Sequence, residues 1–128
     1  MSEADFQQRF SRWLKYTWKK TAAFELKLCR KGALAFSALA PHQRTALLNA
    51  YRGVITYKIP DTGVLQKPFD CFTMSNVMAF VVVMFYKRGC KDFYIIDIEA
   101  WIAEENGSDR KSLTEKRAGE IGAKFSFN

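Results

Sequence analysis

Apolar residues recur at helical spacing near the start of the chain and at strand-like spacing soon afterwards. Phe6, Phe10 and Trp13 lie three or four positions apart, which is typical of one face of an amphipathic helix. Ser2 is a residue type that commonly caps helices, so the pattern predicts a helix over about Glu3–Trp18. This helix should be apolar on one side and basic on the other.

The segment Ala22–Cys29 has the alternation of a β-strand. Successive side chains of a strand point to opposite faces, so Phe24 and Leu26 share an apolar face. Glu25 and Lys27 share the other face. If the apolar face is buried, the opposite face presents a carboxylate beside an ammonium group.

The rest of the chain alternates short strands and helices. Pro41 fits the first turn of a helix and Gly53 fits its end. The other predicted elements are an extended piece over Leu34–Ser37, strands over Val54–Ile59, Phe69–Met74, Ala79–Tyr86 and Phe93–Ile98, a turn at Pro60–Gly63, a helix capped by Asp97 and reaching about Asn106, and a C-terminal helix opened by Ser112–Glu115. The pattern therefore predicts one α/β domain over residues 1–128, with a mixed central sheet of about five strands flanked by helices.

Composition and charge indicate a globular domain with a polyanionic partner. The chain has 128 residues, 48% of them hydrophobic, which is enough to bury a core. Its net charge of +7 favours a nucleic acid as partner, although a solvated, solubilising face is the alternative interpretation. The basic residues expected to contact nucleic acid are Arg9, Arg12, Lys15, Lys19, Lys20, Arg30 and Lys31. Glu25 is the only acid between Phe6 and Lys31.

The cysteines and the apolar runs indicate the compartment. Cys29, Cys71 and Cys90 lack the paired spacing of a disulfide framework or a zinc site, so we expect reduced thiols. No signal-peptide pattern is visible, and the apolar run Val77–Tyr86 is too short to cross a bilayer as a helix. We therefore expect a cytoplasmic protein with no membrane partner.

Glu25 and Lys27 are suited to phosphodiester hydrolysis. A carboxylate can hold a divalent cation, and a neighbouring lysine can orient water or stabilise charge that builds up on phosphate. An E-x-K pair alone is common by chance, so a surface ion pair on an edge strand is the alternative.

Two segments carry a family resemblance. Phe24-Glu25-Leu26-Lys27 and the stretch Ser37–Leu47, which contains Pro41-His42-Gln43, resemble the PD-(D/E)XK nuclease superfamily. Within that superfamily they are similar to the Holliday junction resolvase-like group of the RecU type. The match covers roughly residues 20 to 60 and is moderately specific. It implies a restriction-endonuclease-like core in an intracellular protein, with a viral or phage origin as one option.

The resemblance also implies an activity and roles for individual residues. The expected activity is a metal-dependent DNA endonuclease, structure-selective and acting as a homodimer, since two nicks on a branched junction need two sites. Glu25 and the Leu26 carbonyl would hold Mg²⁺ or Mn²⁺. Lys27 would orient or activate the attacking water, and Gln43 would position water or phosphate.

One acid of the family pattern is displaced in this chain. It usually precedes the E-x-K strand, whereas the only earlier acids here lie in the first helix. The best substitute is Asp70 in the predicted strand Phe69–Met74, where a carboxylate is costly to bury unless a metal shared with Glu25 neutralises it. The alternative is that Asp70 caps a turn or pairs with a lysine such as Lys67. If Asp70 does not complete the site, a non-catalytic nucleic-acid-binding protein that keeps the nuclease fold is the alternative function.

Overall fold

A computed structural model of the protein describes residues 1–18, 20–61 and 66–127. The helices in these residues are α1 (Glu3–Thr17), α2 (Pro41–Arg52), α3 (Ile98–Gly107) and α4 (Glu115–Ile121). The strands are β1 (Ala22–Cys29), β2 (Ala33–Ala35), β3 (Val54–Lys58), β4 (Cys71–Ser75), β5 (Met78–Phe85), β6 (Asp92–Asp97), β7 (Ser112–Thr114) and β8 (Ala123–Ser126). None of the helices in the described residues is long and apolar enough to cross a membrane.

A mixed four-stranded sheet in the order β1-β5-β6-β8 forms the centre of the fold. β1 and β5 run parallel, with Glu25 opposite Val81 and Lys27 opposite Val83. The β5–β6 and β6–β8 pairs are antiparallel. The predicted α/β class and mixed sheet are confirmed, but the central sheet has four strands and β1 lies at its edge.

Two of the predicted strands lie outside the central sheet. β3 and β4 pair only with each other, as an antiparallel hairpin with Tyr57 opposite Phe72. β4 begins at Cys71, two residues after the predicted start at Phe69, so the prediction that Asp70 lies within a strand is wrong. Thr62 and Gly63 of the predicted turn lie outside the described residues.

The helix starts follow local capping chemistry, with one exception. Ser2 Oγ accepts a hydrogen bond from the Asp5 N–H at 3.1 Å, and Asp97 Oδ1 accepts one from the Glu99 N–H at 2.8 Å, as predicted. The predicted helix start at Ser112 is wrong. Ser112 belongs to β7, which pairs with β2, and Thr114 is the residue that caps α4. The last strand, β8, was not predicted.

Apolar side chains pack on both faces of the sheet. On one face Phe6 and Phe10 of α1 are buried against Leu26 of β1. On the other face Leu47 of α2 and Trp101 of α3 are buried with β5, β6 and α4. Because β1 alternates, Glu25 and Lys27 lie on the α2 side of the sheet, whereas α1 covers the opposite side.

Candidate active site

The side chains of Glu25, Lys27 and Gln43 form one hydrogen-bonded cluster between β1 and α2. Lys27 Nζ lies 3.0 Å from Gln43 Oε1 and 3.3 Å from Glu25 Oε1. Gln43 Nε2 donates to the same Glu25 oxygen at 2.9 Å. The alternation of β1 and the first turn of α2 therefore bring together three of the four predicted catalytic residues.

The amide of Gln43 has one orientation that satisfies its neighbours. A lysine can only donate and a carboxylate only accept, so the amide oxygen faces Lys27 and the amide nitrogen faces Glu25. The same Oε1 accepts a hydrogen bond from the Ala40 N–H at 3.0 Å. Ala40 is the N-cap of α2 and has no side-chain acceptor of its own. Gln43 therefore stabilises the start of α2 and also ties this helix to β1.

Contacts with α3 hold α2 in place behind the cluster. Arg44 Nη1 lies 2.6 Å from Glu105 Oε1. Near the other end of α2, the Glu99 carboxylate raises the pKa of Tyr51, through a hydrogen bond and through its negative charge. Leu47 is buried on the face between these two residues. The position of Gln43 is thus set by polar contacts near both ends of α2 and by packing between them.

The cluster leaves polar groups available for a substrate. The side chain of Lys27 is 14% exposed and that of Glu25 is 28% exposed, so both are sheltered but reachable from solvent. The Lys27 ammonium has three N–H donors: Gln43 Oε1 accepts from one, Glu25 Oε1 lies at ion-pair distance, and at least one donor remains for a substrate. Glu25 Oε1 faces both neighbours, and among the described residues no donor reaches Glu25 Oε2.

The carbonyl of Leu26 points to the open edge of the sheet. The Cys29 carbonyl accepts a hydrogen bond from the Tyr86 N–H at 2.7 Å, on the side of β5. Backbone carbonyls alternate in direction along a strand, so the Leu26 carbonyl, three residues earlier, points the opposite way. Among the described residues no strand pairs with β1 on that side. The predicted backbone ligand therefore lies at an unpaired edge beside Glu25.

The donors at this edge fit one kind of metal site. In residues 1–18, 20–61 and 66–127, no group of three or more His, Cys, Asp or Glu residues could hold a metal ion. Mg²⁺ does not require such a group, because it keeps several waters and is commonly bound by one or two carboxylates plus substrate phosphates. Glu25 Oε2 and the Leu26 carbonyl oxygen fit that incomplete donor set.

Asp70 is placed differently from the sequence prediction. Its side chain is 90% exposed, and its Oδ1 lies 3.3 Å from Lys67 Nζ. Lys67 also contacts Asp61 Oδ1 at 2.7 Å. The carboxylate is therefore not buried, and the argument that a shared metal must neutralise it fails. The alternative interpretation, an ion pair with Lys67, describes the observed contact.

The predicted nucleic-acid-binding residues are dispersed around β1. Arg9 and Arg12 line a cavity of about 480 Å³ on the α1 side of the sheet, away from the face that carries Gln43. Arg30 stacks over the Tyr86 ring at 5.6 Å and donates to the Met1 carbonyl. The other described members of the set are exposed: Lys15, Lys20 and Lys31. Lys19 lies outside the described residues.

A second cavity adjoins the cluster and was not predicted. It has a volume of about 420 Å³, and both Glu25 and Gln43 line it. The hairpin contributes Tyr57 and Phe72 to its walls, and α2 contributes His42. Ile55 and Tyr57 share a face of β3 because the strand alternates, but the position of that face beside α2 depends on tertiary packing.

Comparisons with known proteins identify no relative of this chain. Searches of protein-family models, of curated proteins and of solved structures find no match to this chain. The resemblance to the resolvase-like nucleases consequently remains a prediction from two sequence segments. The candidate active site rests on the geometry of Glu25, Lys27 and Gln43.

Proposed function

We propose that the protein is a metal-dependent endonuclease that hydrolyses phosphodiester bonds of DNA at the edge of β1. One observation carries the proposal: Glu25, Lys27 and Gln43 form a single hydrogen-bonded cluster beside an unpaired strand edge. The resemblance of the same segments to resolvase-like nucleases and the net charge of +7 support it.

Each residue of the cluster has a specific role in this proposal. Lys27 would donate its remaining N–H to the attacking water or to a phosphate oxygen, where its charge stabilises the transition state. Gln43 would keep Lys27 and Glu25 in position, since it bonds to both. α2 begins beside the cluster, so the positive end of its dipole would add to the attraction for phosphate.

The reaction balances with water as the only co-reactant. The water oxygen bonds to phosphorus, and the bond between phosphorus and one sugar oxygen breaks. One proton of the water ends on the departing sugar oxygen, and the remaining hydroxyl stays on the phosphate. Glu25 Oε2 and the Leu26 carbonyl would hold Mg²⁺ or Mn²⁺, whose charge favours ionisation of water and offsets charge on the phosphate oxygens.

A nucleic-acid-binding role without cleavage is the second candidate. The ion pair between Asp70 and Lys67 favours it, because Glu25 is then the one carboxylate that the described residues place in the cluster at the strand edge. Both candidates take DNA as the partner, and the proposed endonuclease would act as a homodimer on branched DNA. Sedimentation velocity of the free protein measures the oligomeric state directly.

A cleavage assay beside a gel-shift assay tests the proposal. Wild type should nick four-way, flap or linear DNA in Mg²⁺ or Mn²⁺. Lys27→Met should lower the cleavage rate by about 100-fold or more, because one positioned charge is lost in the transition state. Binding should change little, since Lys27 is one of 20 basic residues.

Lys116→Met is the matched control, because Lys116 is exposed on α4, a helix that packs against β6, β7 and β8. This variant should cleave at the wild-type rate. A wild-type protein that binds these DNAs and cleaves none of them in either metal would establish the second candidate. A Lys27→Met variant that cleaves normally would remove Lys27 from the mechanism.

A further inference from the structure

The β3–β4 hairpin has one apolar and one polar face. Ile55 and Tyr57 of β3 lie opposite Met74 and Phe72 of β4, and these four side chains line the cavity beside Glu25. Thr56 and its partner on β4 occupy the other face, where their hydroxyl groups lie 3.2 Å apart. The apolar face is therefore turned toward β1 and α2, as burial would require.

The end of this apolar face remains open to solvent. Tyr57 is 58% exposed and Phe72 is 38% exposed, although both line the cavity. Their rings stack on each other with centroids 5.9 Å apart and planes inclined by 14°. A stacked pair of aromatic rings leaves outer ring surface accessible, and an accessible ring face is the kind of surface on which a planar ligand stacks.

The opposite wall of the same cavity, on β1 and α2, is mixed: three polar residues of or beside the candidate active site lie among apolar ones such as Ala46 and Leu47. Glu25, His42 and Gln43 lie there, at the start of α2 and on β1. The cavity of about 420 Å³ falls within the size range of small-molecule sites. A ligand that fills it would contact aromatic rings on one side and the catalytic cluster on the other.

We infer that this cavity binds one unpaired nucleobase of the DNA substrate, stacked against Tyr57 and Phe72, with the adjoining phosphate beside Glu25. The inference rests on the proposed function and specifies its substrate as DNA with an unpaired nucleotide at the cleavage site. A paired base inside a duplex presents only its edges, so it could not stack on these rings without leaving the helix.

The chemistry of the cavity favours a nucleotide over an apolar peptide segment. An apolar peptide segment would cover the Glu25 carboxylate and the His42 imidazole without supplying hydrogen bonds to them, at a cost in free energy. The net charge of +7 attracts a polyanion to the protein as a whole. Every base has a π-face, so binding of this kind should depend little on base identity.

Base stacking can be measured without cleavage, in the presence of EDTA. A single-stranded oligonucleotide that contains 2-aminopurine is titrated with the protein, and its fluorescence and anisotropy are recorded. Wild type should quench the unpaired fluorophore and should quench it less when the same base is paired in a duplex. Tyr57→Leu and Phe72→Leu should bind the single strand roughly 5- to 150-fold more weakly, whereas duplex affinity should change by less than about twofold.

Phe69→Leu is the matched control, since Phe69 is 53% exposed near the same hairpin but is not among the described lining residues. It should bind and quench as wild type does. If the hairpin variants fail to fold, wild type can be photocrosslinked to a single strand that contains iodinated uracil, and the crosslinked residue shows where the unpaired base binds. The crosslink should map to Tyr57 or Phe72.

Three results of the DNA-binding experiments would overturn the inference. They are equal quenching of paired and unpaired 2-aminopurine, normal quenching by Tyr57→Leu, and crosslinks confined to α1. A change of oligomeric state in Tyr57→Leu with unchanged DNA affinity would likewise overturn it and assign the cavity to a second copy of the chain. Base stacking without any cleavage in Mg²⁺ or Mn²⁺ would contradict only the proposed endonuclease activity.

Discussion

Replacing Gln43 by methionine tests whether the cluster is held together as the structure indicates. The substitution keeps a side chain of similar length but removes three hydrogen bonds, to Lys27, to Glu25 and to the Ala40 N–H. The bond to Ala40 contributes about 0.5–1 kcal/mol as the cap of α2. Each bond to a charged group contributes about 1.5–3 kcal/mol when the group is buried.

The total effect should be smaller than the sum of these contributions. Lys27 and Glu25 are 14% and 28% exposed, so water can replace part of what Gln43 provides. The two residues also remain 3.3 Å apart and can keep their ion pair. We therefore expect Gln43→Met to lower the free energy of unfolding by about 2–4 kcal/mol.

Urea unfolding followed by circular dichroism measures this difference, provided that the m-value is unchanged. Gln8→Met is the matched control, because Gln8 is exposed on α1 and should tolerate the same change. A double-mutant cycle of Gln43→Met with Lys27→Met should give a coupling energy of about 0.5–3 kcal/mol. Equal stability of the Gln43 and Gln8 variants, or strict additivity in the cycle, would refute the proposed cluster.

Three further predictions address the fold and the role of Asp70. Gly122→Ala should destabilise the protein by about 1–3 kcal/mol in urea unfolding, because overpacking strains the backbone. The added Cβ would lie 2.7 Å from the Ile95 carbonyl oxygen, whereas Gly107→Ala meets no atom within 4 Å and should not be destabilising. Burial raises the pKa of Tyr94 to about 12, above its value of about 10 in an unfolded chain. The protonated phenol therefore contributes its full stabilisation below about pH 10, and this contribution is lost as pH rises toward about 12. Thermal unfolding should show this loss of stability in wild type but not in Tyr94→Phe. Asp70→Asn should leave the cleavage rate within about twofold of wild type, since a carboxylate that is 90% exposed and paired with Lys67 exerts little electrostatic effect through solvent; a large loss of cleavage would show that Asp70 belongs to the metal site.

Local patterns in the sequence were sufficient to predict the elements that carry the site. The alternation of Ala22–Cys29 placed Glu25 and Lys27 on one face of a strand, and β1 has those bounds. Pro41 and Gly53 marked the ends of α2, because each residue has a backbone preference that acts within one turn. The resemblance to resolvase-like nucleases supplied the expectation that Gln43 would lie beside them.

The remaining features depend on contacts between distant segments. No local sequence feature distinguishes a strand of the central sheet from a strand in a separate hairpin. The position of β3 and β4 outside the central sheet was therefore not predicted. Asp70 has apolar neighbours in sequence, yet the strand begins after it and its side chain stays in solvent. The N-cap of α2 is an alanine, which gives no capping signal, and Gln43 provides the acceptor from three residues away.

The single-turnover cleavage rate of wild type and Glu25→Gln tests the central claim most directly. Both proteins are saturated with DNA that contains an unpaired segment, binding is checked by anisotropy, and Mn²⁺ is then added. We expect wild type to cleave and Glu25→Gln to be slower by about 100-fold or more, because the carboxylate that would hold the metal is lost while the shape of the side chain is kept. Equal rates for the two proteins, or no cleavage by fully bound wild type, would contradict the assignment of this cluster as a nuclease active site.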